Sequence, residues 1–335
     1  MKRVIVAGGG ISGLVFNYVA RRYRDVSVTI LEPGAIGGEF LSGGLKYIHK
    51  TDEMAKMFDD LDLPYSNYIV QGGIMLRGSV HPYPNCLVSM DKDQAERIQA
   101  DHYRKTRHVE PGTESRKAMN DPASTKPRKA LRCDFREMIT ALARLATFKK
   151  AALAKVEDGT VKLDNGESLP FDYLVLTIPL WVLKGIVAFP IPVGMAIKLN
   201  VFIVQPERDT YAKWDYVYTP YTPAKYIHRF SPHGGGYAIE ANGGVDNDRL
   251  AQDLQFIFSD GWRVLSAKEG LKGHLLPLEF EPTWPVNVAP LGRFAKWDPR
   301  STTDETLANS MELAKRWFKV TGVDLSESQL ERARE

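Results

Sequence analysis

Cysteine is nearly absent from this chain. Only Cys86 and Cys133 occur in 335 residues, with no CxxC or Cys/His spacing, so neither a disulfide framework nor a structural zinc site is indicated. Long apolar runs are also missing. The longest, Leu174 to Leu183, contains Pro179 and falls far short of the roughly 20 residues a membrane helix needs. Basic Lys2 and Arg3 are followed by an apolar stretch broken by glycines, which is not a signal-peptide layout. A reducing, cytoplasmic setting without membrane contact is expected. Charge of one sign is lacking too: 44 Lys and Arg stand against 41 Asp and Glu, and a net +3 is too mild to identify a nucleic-acid binder from the total. No Ser/His/Asp spacing suggests a hydrolytic triad, and no metal-ligand cluster stands out. What is present, 44% hydrophobic and 25% charged residues, is an ordinary globular composition with room for two or three domains.

Arg3 to Ala7 is a short apolar run ended by Gly8-Gly9-Gly10, and Ile11 to Arg22 then carries apolar residues at helical spacing. Val26 to Leu31 is a second β-branched run, so the opening is a βαβ unit with a parallel pair and a right-handed crossover. Helical periodicity returns at Met54, Met57, Phe58 and Leu61, at Asp134 to Phe148, at about 246–258 and at 303–319. Val161 to Leu163, the Asp164-Asn165-Gly166 turn and Tyr173 to Ile178 read as a hairpin followed by a buried strand. Residues 65–90 look like strands and turns. Alternation in Ala196 to Val204 and Tyr216 to Thr219 predicts a second sheet.

Gly8, Gly10 and Gly13 form G-x-G-x-x-G directly after a strand and at the start of a helix, the context that motif requires. The first glycine permits the turn, the second lets backbone approach a pyrophosphate, and the third lets helix and strand pack closely. Ser12 lies inside the motif. Glu32 follows Gly13 by nineteen residues at the end of the second strand, where a carboxylate accepts both ribose hydroxyls and disfavours a 2′-phosphate. The predicted fold class is therefore α/β, a Rossmann-like dinucleotide-binding domain with a β-rich (α+β) substrate subdomain.

Gly37 and Gly38 follow the acid, and with this doublet the chain resembles the FAD-containing superfamily of amine oxidases, protoporphyrinogen oxidases, phytoene desaturases and UDP-galactopyranose mutases. In those families the doublet lets backbone approach the diphosphate and flavin. Some 250 residues later, Leu291-Gly292-Arg293-Phe294, Trp297 and the helix opening at Thr302, Thr303 and Asp304 resemble the families' closing flavin-binding element. The resemblance implies that Gly292 and Arg293 approach the diphosphate. It also implies that the helix beginning at Thr302 and Thr303 points its amides at the electron-poor end of the ring. FAD is thus the expected cofactor, held by Gly8, Gly10, Ser12, Gly13, Glu32, Gly37, Gly38, Gly292, Arg293, Thr302 and Thr303, and Phe171 to Pro179 resembles the strand that returns to this domain.

On the substrate side, Gly43 to Asp52 resembles a mutase loop in which histidines and glycines pass close to the flavin, and His49 matches one such histidine. A second histidine of that pattern is replaced here by Leu45 or Lys46. The alternative for His49 is a packing role on the following helix. Asp215 to Pro220 and His228-Arg229-Phe230 resemble the strand pair that covers the flavin. Tyr216 and Tyr218 share a face by alternation, and His228 or Arg229 meets them from a neighbouring strand, Arg229 being suited to grip a carboxylate or phosphate through parallel hydrogen bonds. The alternative is a packed aromatic core. His49, Tyr218, His228 and Arg229 are the catalytic candidates.

Residues 101–132 hold nine Lys and Arg against four acids, with Pro111, Gly112, Pro122 and Pro127 and almost no large apolar side chain. They read as an exposed basic insertion able to contact DNA or RNA phosphates, or simply as a solvated loop. The expected domains are 1–64, 132–180 and 285–325 for FAD, 65–100 and 181–284 for substrate, and 101–131 for the basic insertion. The resemblance implies an FAD-dependent oxidoreductase that oxidises the C–N bond of an amine to an imine, which then hydrolyses. The basic insertion adds a narrower expectation, an amino-acid-like group such as glycine on a modified thymine in DNA, as in phage-type base hypermodification. The alternatives are a flavin isomerase of the UDP-galactopyranose mutase type and a non-catalytic nucleotide- or DNA-binding flavoprotein.

Overall fold

The structure is a computed structural model that describes residues 1–38, 47–83, 86, 91–106, 128–192, 196–219, 224–243, 245–275, 280, 282–298 and 301–318. Its first elements are β1 (Lys2–Ala7), α1 (Ile11–Ala20), β2 (Val26–Leu31), β3 (Ile48–His49), α2 (Asp52–Asp60), β4 (Ser66–Ile69), β5 (Gly72–Leu76), β6 (Ser79–Pro82) and α3 (Lys92–Thr106). Next come β7 (Lys129–Arg132), α4 (Phe135–Arg144), β8 (Phe148–Lys149), β9 (Leu153–Glu157), β10 (Thr160–Leu163), β11 (Ser168–Pro170), β12 (Tyr173–Leu176) and α5 (Leu180–Leu183). The last are β13 (Ala196–Pro206), β14 (Tyr216–Tyr218), β15 (Ile227–His233), β16 (Gly236–Asn242), α6 (Asn247–Ile257), β17 (Trp262–Leu275), β18 (Val288–Pro290), α7 (Arg293–Lys296) and α8 (Thr303–Trp317).

Five strands form a parallel sheet in the order β18-β12-β1-β2-β8. Period-two alternation divides β1 between two cores: Val4 and Val6 pack with α1, α2, α4 and α8, while Ile5 and Ala7 pack with the β9-β10-β11 layer on the other face. A strand buried on both faces has to be apolar throughout, which is why β1 and β12 read as continuous hydrophobic runs. The second sheet has seven strands, β17-β13-β16-β15-β14-β5-β6, antiparallel except for the β14·β5 pair. Helix α6 covers one face of it through Leu250, Leu254 and Ile257. A small sheet, β3-β7-β4, lies apart from both.

This architecture is the α/β fold with a β-rich subdomain that the sequence predicts. Residues 101–106 continue helix α3, and Lys129–Arg132 is a strand in which Ala130 and Leu131 are fully buried, so the basic segment is structured at both ends. Its centre, 107–127, lies outside the described residues. Ser66–Ile69 pairs with β7 and not with the substrate sheet. After Pro179 the chain does not leave for the substrate side at once, because Leu180, Leu183 and Val187 are buried in the core beneath the parallel sheet. Among the described residues no helix is long and apolar enough to cross a membrane.

Asp253 on α6 ties that helix to the sheet. Its buried carboxylate accepts the backbone N–H groups of Lys225, Tyr226 and Ile227 at 2.6–2.9 Å, fixing the start of β15. Asp253→Ala should cost about 2–4 kcal/mol of stability, because three backbone donors, one of them fully buried, lose a charged acceptor together. Asp253→Asn, which keeps one acceptor oxygen, should cost less; urea denaturation of both variants measures the difference.

Candidate functional site

The glycine motif forms a turn whose geometry depends on missing side chains. Gly8 has φ +112° and its amide donates to Leu31 O, while the Thr177 hydroxyl donates to Ala7 O and Gly8 O, both at 2.9 Å. A Cβ on Gly13 would overlap Gly8 O, so the absence of a side chain lets α1 close onto the turn. Gly10 starts α1 with no side-chain cap and no acid in the first turn, and the space where its Cβ would project is open. Glu32 accepts from the amides of Gly9 and Gly34, each at 2.7 Å. Gly37 donates to Gly9 O at 2.9 Å and pairs with Gly10, and Gly38 adopts φ +53° beside it.

The chain's later segment returns to this turn. Gly292, at φ +84°, lies so close to α1 that a Cβ there would overlap the Ser12 side chain. Arg293 follows it, partly buried. Desolvation and repulsion by Arg229 push its pKa down, and the attraction of Glu240 and Asp298 does not restore it. The α1 amides without a side-chain cap, the open space over Gly10 and a guanidinium that follows the Gly292 contact are together a donor set that suits a diphosphate.

Beyond Arg293 stands a wall built on the substrate sheet. In a regular strand Ile227 and Phe230 would face opposite sides, yet both join the core under α6. A bulge between Ile227 and Arg229 reconciles them and sets both His228 and Arg229 opposite Glu240. Arg229 donates to both Glu240 oxygens from Nη2 at 2.6 Å and to one from Nε at 3.1 Å, and His228 Nε2 lies 3.4 Å from the same carboxylate. Burial would raise the Glu240 pKa, but Arg229 and His228 hold it well below the carboxylate range. Arg229 is likewise raised: burial opposes its charge and Glu240 overrides it. Tyr216 and Tyr218 share a face with ring centroids 5.1 Å apart, Tyr83 meets Tyr218 at 5.3 Å, and Tyr47 and Tyr68 join the same cluster. Arg229 reaches the Tyr218 ring at 5.9 Å, and Arg128 donates to Tyr47 Oη at 3.3 Å.

Strand β3 closes the far side. The rings of Tyr47 and His49 lie 5.2 Å apart, and His49 Nδ1 lies 3.6 Å from an Asp304 oxygen in the first turn of α8. Burial opposes the Asp304 charge, yet His49 and Thr302 hold its pKa down. Thr302 N–H donates to the Glu305 carboxylate at 3.1 Å. With Asp304 and Glu305 both in that turn, the roughly half-unit positive charge of the helix end is largely answered from within.

Two readings of the sequence change accordingly. The fork of Arg229, expected to grip a substrate anion, is taken by Glu240, and His228, only 2% exposed, is spent on the same carboxylate. Neither is offered to a substrate in the way the strand pattern implies. At the end of the basic segment two arginines contact the wall's neighbours. Arg128 serves Tyr47, and Arg132 covers the Tyr68 ring at 4.6 Å while pairing with Asp215 at 3.6 Å.

Neither a protein-family model nor a curated protein sequence matches this chain. Solved structures do. Reduced UDP-galactopyranose mutase superposes with a TM-score of 0.65 at 13% identity, over 99% of this chain and 96% of that one. A CLA-producing fatty acid isomerase from P. acnes gives 0.64 at 12%, over 95% and 99%, and the tryptophan 5-halogenase MibH gives 0.57 at 13%, over 99% and 70%. At these identities the likeness establishes the fold alone. The first of them belongs to one of the flavoprotein families whose motifs the sequence resembles.

Glu240 and Asp304 are the residues that motif reading misses. Glu240 had a signal, a lone acid in the apolar strand Tyr237–Ala241, whereas Asp304 reads as an ordinary first-turn acid. Glu240→Gln should lower stability at neutral pH by about 3–5 kcal/mol, since it leaves Arg229 buried without its counter-ion. The folded-state pKa of Glu240 is depressed, so its contribution is full above the unfolded value of about 4.3 and fades as pH falls below it. Denaturation of both proteins at about pH 7 and about pH 3 should show the gap narrowing in acid.

Proposed function

We propose that the protein is an FAD-dependent oxidoreductase that oxidises a C–N bond of an amine. The observation that carries the reading is the tyrosine wall: Tyr47, Tyr83, Tyr216 and Tyr218 cluster, Tyr218 lies within the field of Arg229 and Arg293, and the buried carboxylate next to them, Glu240, is already held by Arg229 and His228. A substrate ammonium gains no free carboxylate from Glu240 there, and aromatic surroundings with guanidinium charge nearby favour the neutral amine that C–H cleavage requires.

The diphosphate of FAD would lie over Gly10, Gly37 and Gly38, with Arg293 supplying charge and Glu32 the ribose hydroxyls. FAD, when bound, supplies the acceptor for the hydride that leaves the carbon next to nitrogen. The product is a protonated imine, which water converts to a carbonyl compound and ammonia. Tyr218 orients the substrate against the wall with the buried Tyr216 behind it, and the Glu240–Arg229–His228 cluster keeps that wall rigid.

Two measurements test this reading. The purified protein should show a flavin absorption spectrum, alone or after incubation with FAD, and Glu32→Gln should weaken FAD binding by about 1–3 kcal/mol through a lost charged hydrogen bond. Amines should then bleach bound flavin under anaerobic conditions. Turnover of a UDP-sugar only after dithionite reduction would replace the amine reading with the mutase type, and a preparation that stays colourless with FAD would remove the flavin reading altogether.

A further inference from the structure

We propose that Asp304 positions His49 to take the proton from a substrate ammonium at the tyrosine wall. This assignment rests on the amine-oxidation reading and adds to it the step that must come first. An amine in neutral water arrives mostly protonated, and its nitrogen lone pair must be freed before the adjacent C–H bond can break. The wall itself offers tyrosines and guanidiniums, none of which is a base at neutral pH.

His49 has the geometry for the task. Its backbone is fixed by pairing of β3 with β7, opposite Ala130. Residues two apart on a strand share a face, so the imidazole lies on the Tyr47 side, and the 5.2 Å ring contact places it there. The ring is partly exposed, with 37% of its side chain accessible, so substrate can reach it. Asp304 stands on the other side at 3.6 Å from Nδ1, an ion-pair distance and not a hydrogen bond, with its side chain only 13% exposed. A carboxylate beside Nδ1 favours the tautomer that carries its proton there, which leaves the Nε2 lone pair for the substrate. Burial opposes the charge of that carboxylate, but His49 and Thr302 hold its pKa down.

The other charged groups around His49 are already engaged or face solvent. From β7, Arg128 donates to Tyr47, Arg132 pairs with Asp215, and Lys129 is exposed. From α2, Asp52 and Glu53 are exposed beyond the Thr51 cap. From α8, Glu305 accepts from Thr302 N–H.

The step balances simply. The N–H bond of the ammonium breaks and its proton passes to Nε2, leaving a neutral amine whose adjacent C–H could give up hydride, with FAD, when bound, as the two-electron acceptor and a protonated imine as the product. The proton on His49 returns to water between turnovers.

The test is anaerobic bleaching of the FAD-loaded protein by an amine, followed from acid to alkaline pH in the wild type, Asp304→Asn and His49→Gln. His49→Gln should slow bleaching about 10²–10⁴-fold near neutrality and recover at high pH, where free amine is abundant. Asp304→Asn should slow it less than His49→Gln does, since the imidazole remains but loses the carboxylate that orients it. Nitrogen NMR of the wild type should report the Nδ1–H tautomer of His49, and Asp304→Asn should lose it. Identical profiles in all three proteins, or an Nε2–H tautomer in the wild type, would overturn the dyad and leave amine oxidation standing. Absence of bleaching by any amine overturns both.

Discussion

Gly292 has no side chain, and the Ser12 side chain fills the space where one would be. That contact joins the last third of the chain to the turn at its beginning. With β18 paired to β12, and β12 to β1, the returning segment is carried across the sheet to the one edge of α1 where helix amides are open. Arg293 follows immediately, so the same close approach sets a guanidinium beside the glycine turn. A Cβ at either Gly13 or Gly292 would push one wall of the groove away from the other. The groove is thus defined by two absences, each sitting against a neighbour that cannot yield cheaply.

Charge is distributed across the site by a similar economy. Burying Glu240 alone would be prohibitive, and burying Arg229 alone nearly so; together, in bidentate contact, each makes the other tolerable. The bulge in β15 adds His228 to the same carboxylate by turning two successive residues to one side. Arg293 lies within the field of this cluster: burial and repulsion by Arg229 push its pKa down against the attraction of Glu240 and Asp298.

Legibility in the sequence followed how local each signal is. The turn at Gly8–Gly13, the acid at Glu32 and the buried strands β1 and β12 could all be read, because each is a short pattern whose physics is contained within it. Tyr216 and Tyr218 were placed on one face correctly, since β14 is regular. Arg229 meets Tyr218 from the neighbouring strand as expected, but the engagement of Arg229 and His228 with Glu240 was not legible, because a bulge sets both opposite that acid and nothing in Ile227–Phe230 announces one. Strand β17 shows no apolar alternation and is held by its pairing to β13, a contact some sixty residues away. Helix α3 buries only Ala95 and Ile98 among its described side chains, too sparse a stripe to distinguish it from loop. Lys129–Arg132 was hidden by its charges, which belong to the two outer residues of a strand whose inner pair is fully buried.

The start of α8 shows how one helix end can serve a different purpose from the one its position suggests. A bare helix N-terminus beside a flavin would stabilise negative charge on the ring. Here Asp304 and Glu305 bring two carboxylates against a dipole worth about half a unit charge, so little field remains to be exported. Asp304 is instead kept ionised in its half-buried setting by His49 and Thr302, and its carboxylate stands 3.6 Å from His49 Nδ1. In the proposed reaction, charge developing on a reduced ring would therefore have to be met by guanidiniums such as Arg293 and not by this helix end, while the substrate's proton would leave toward His49.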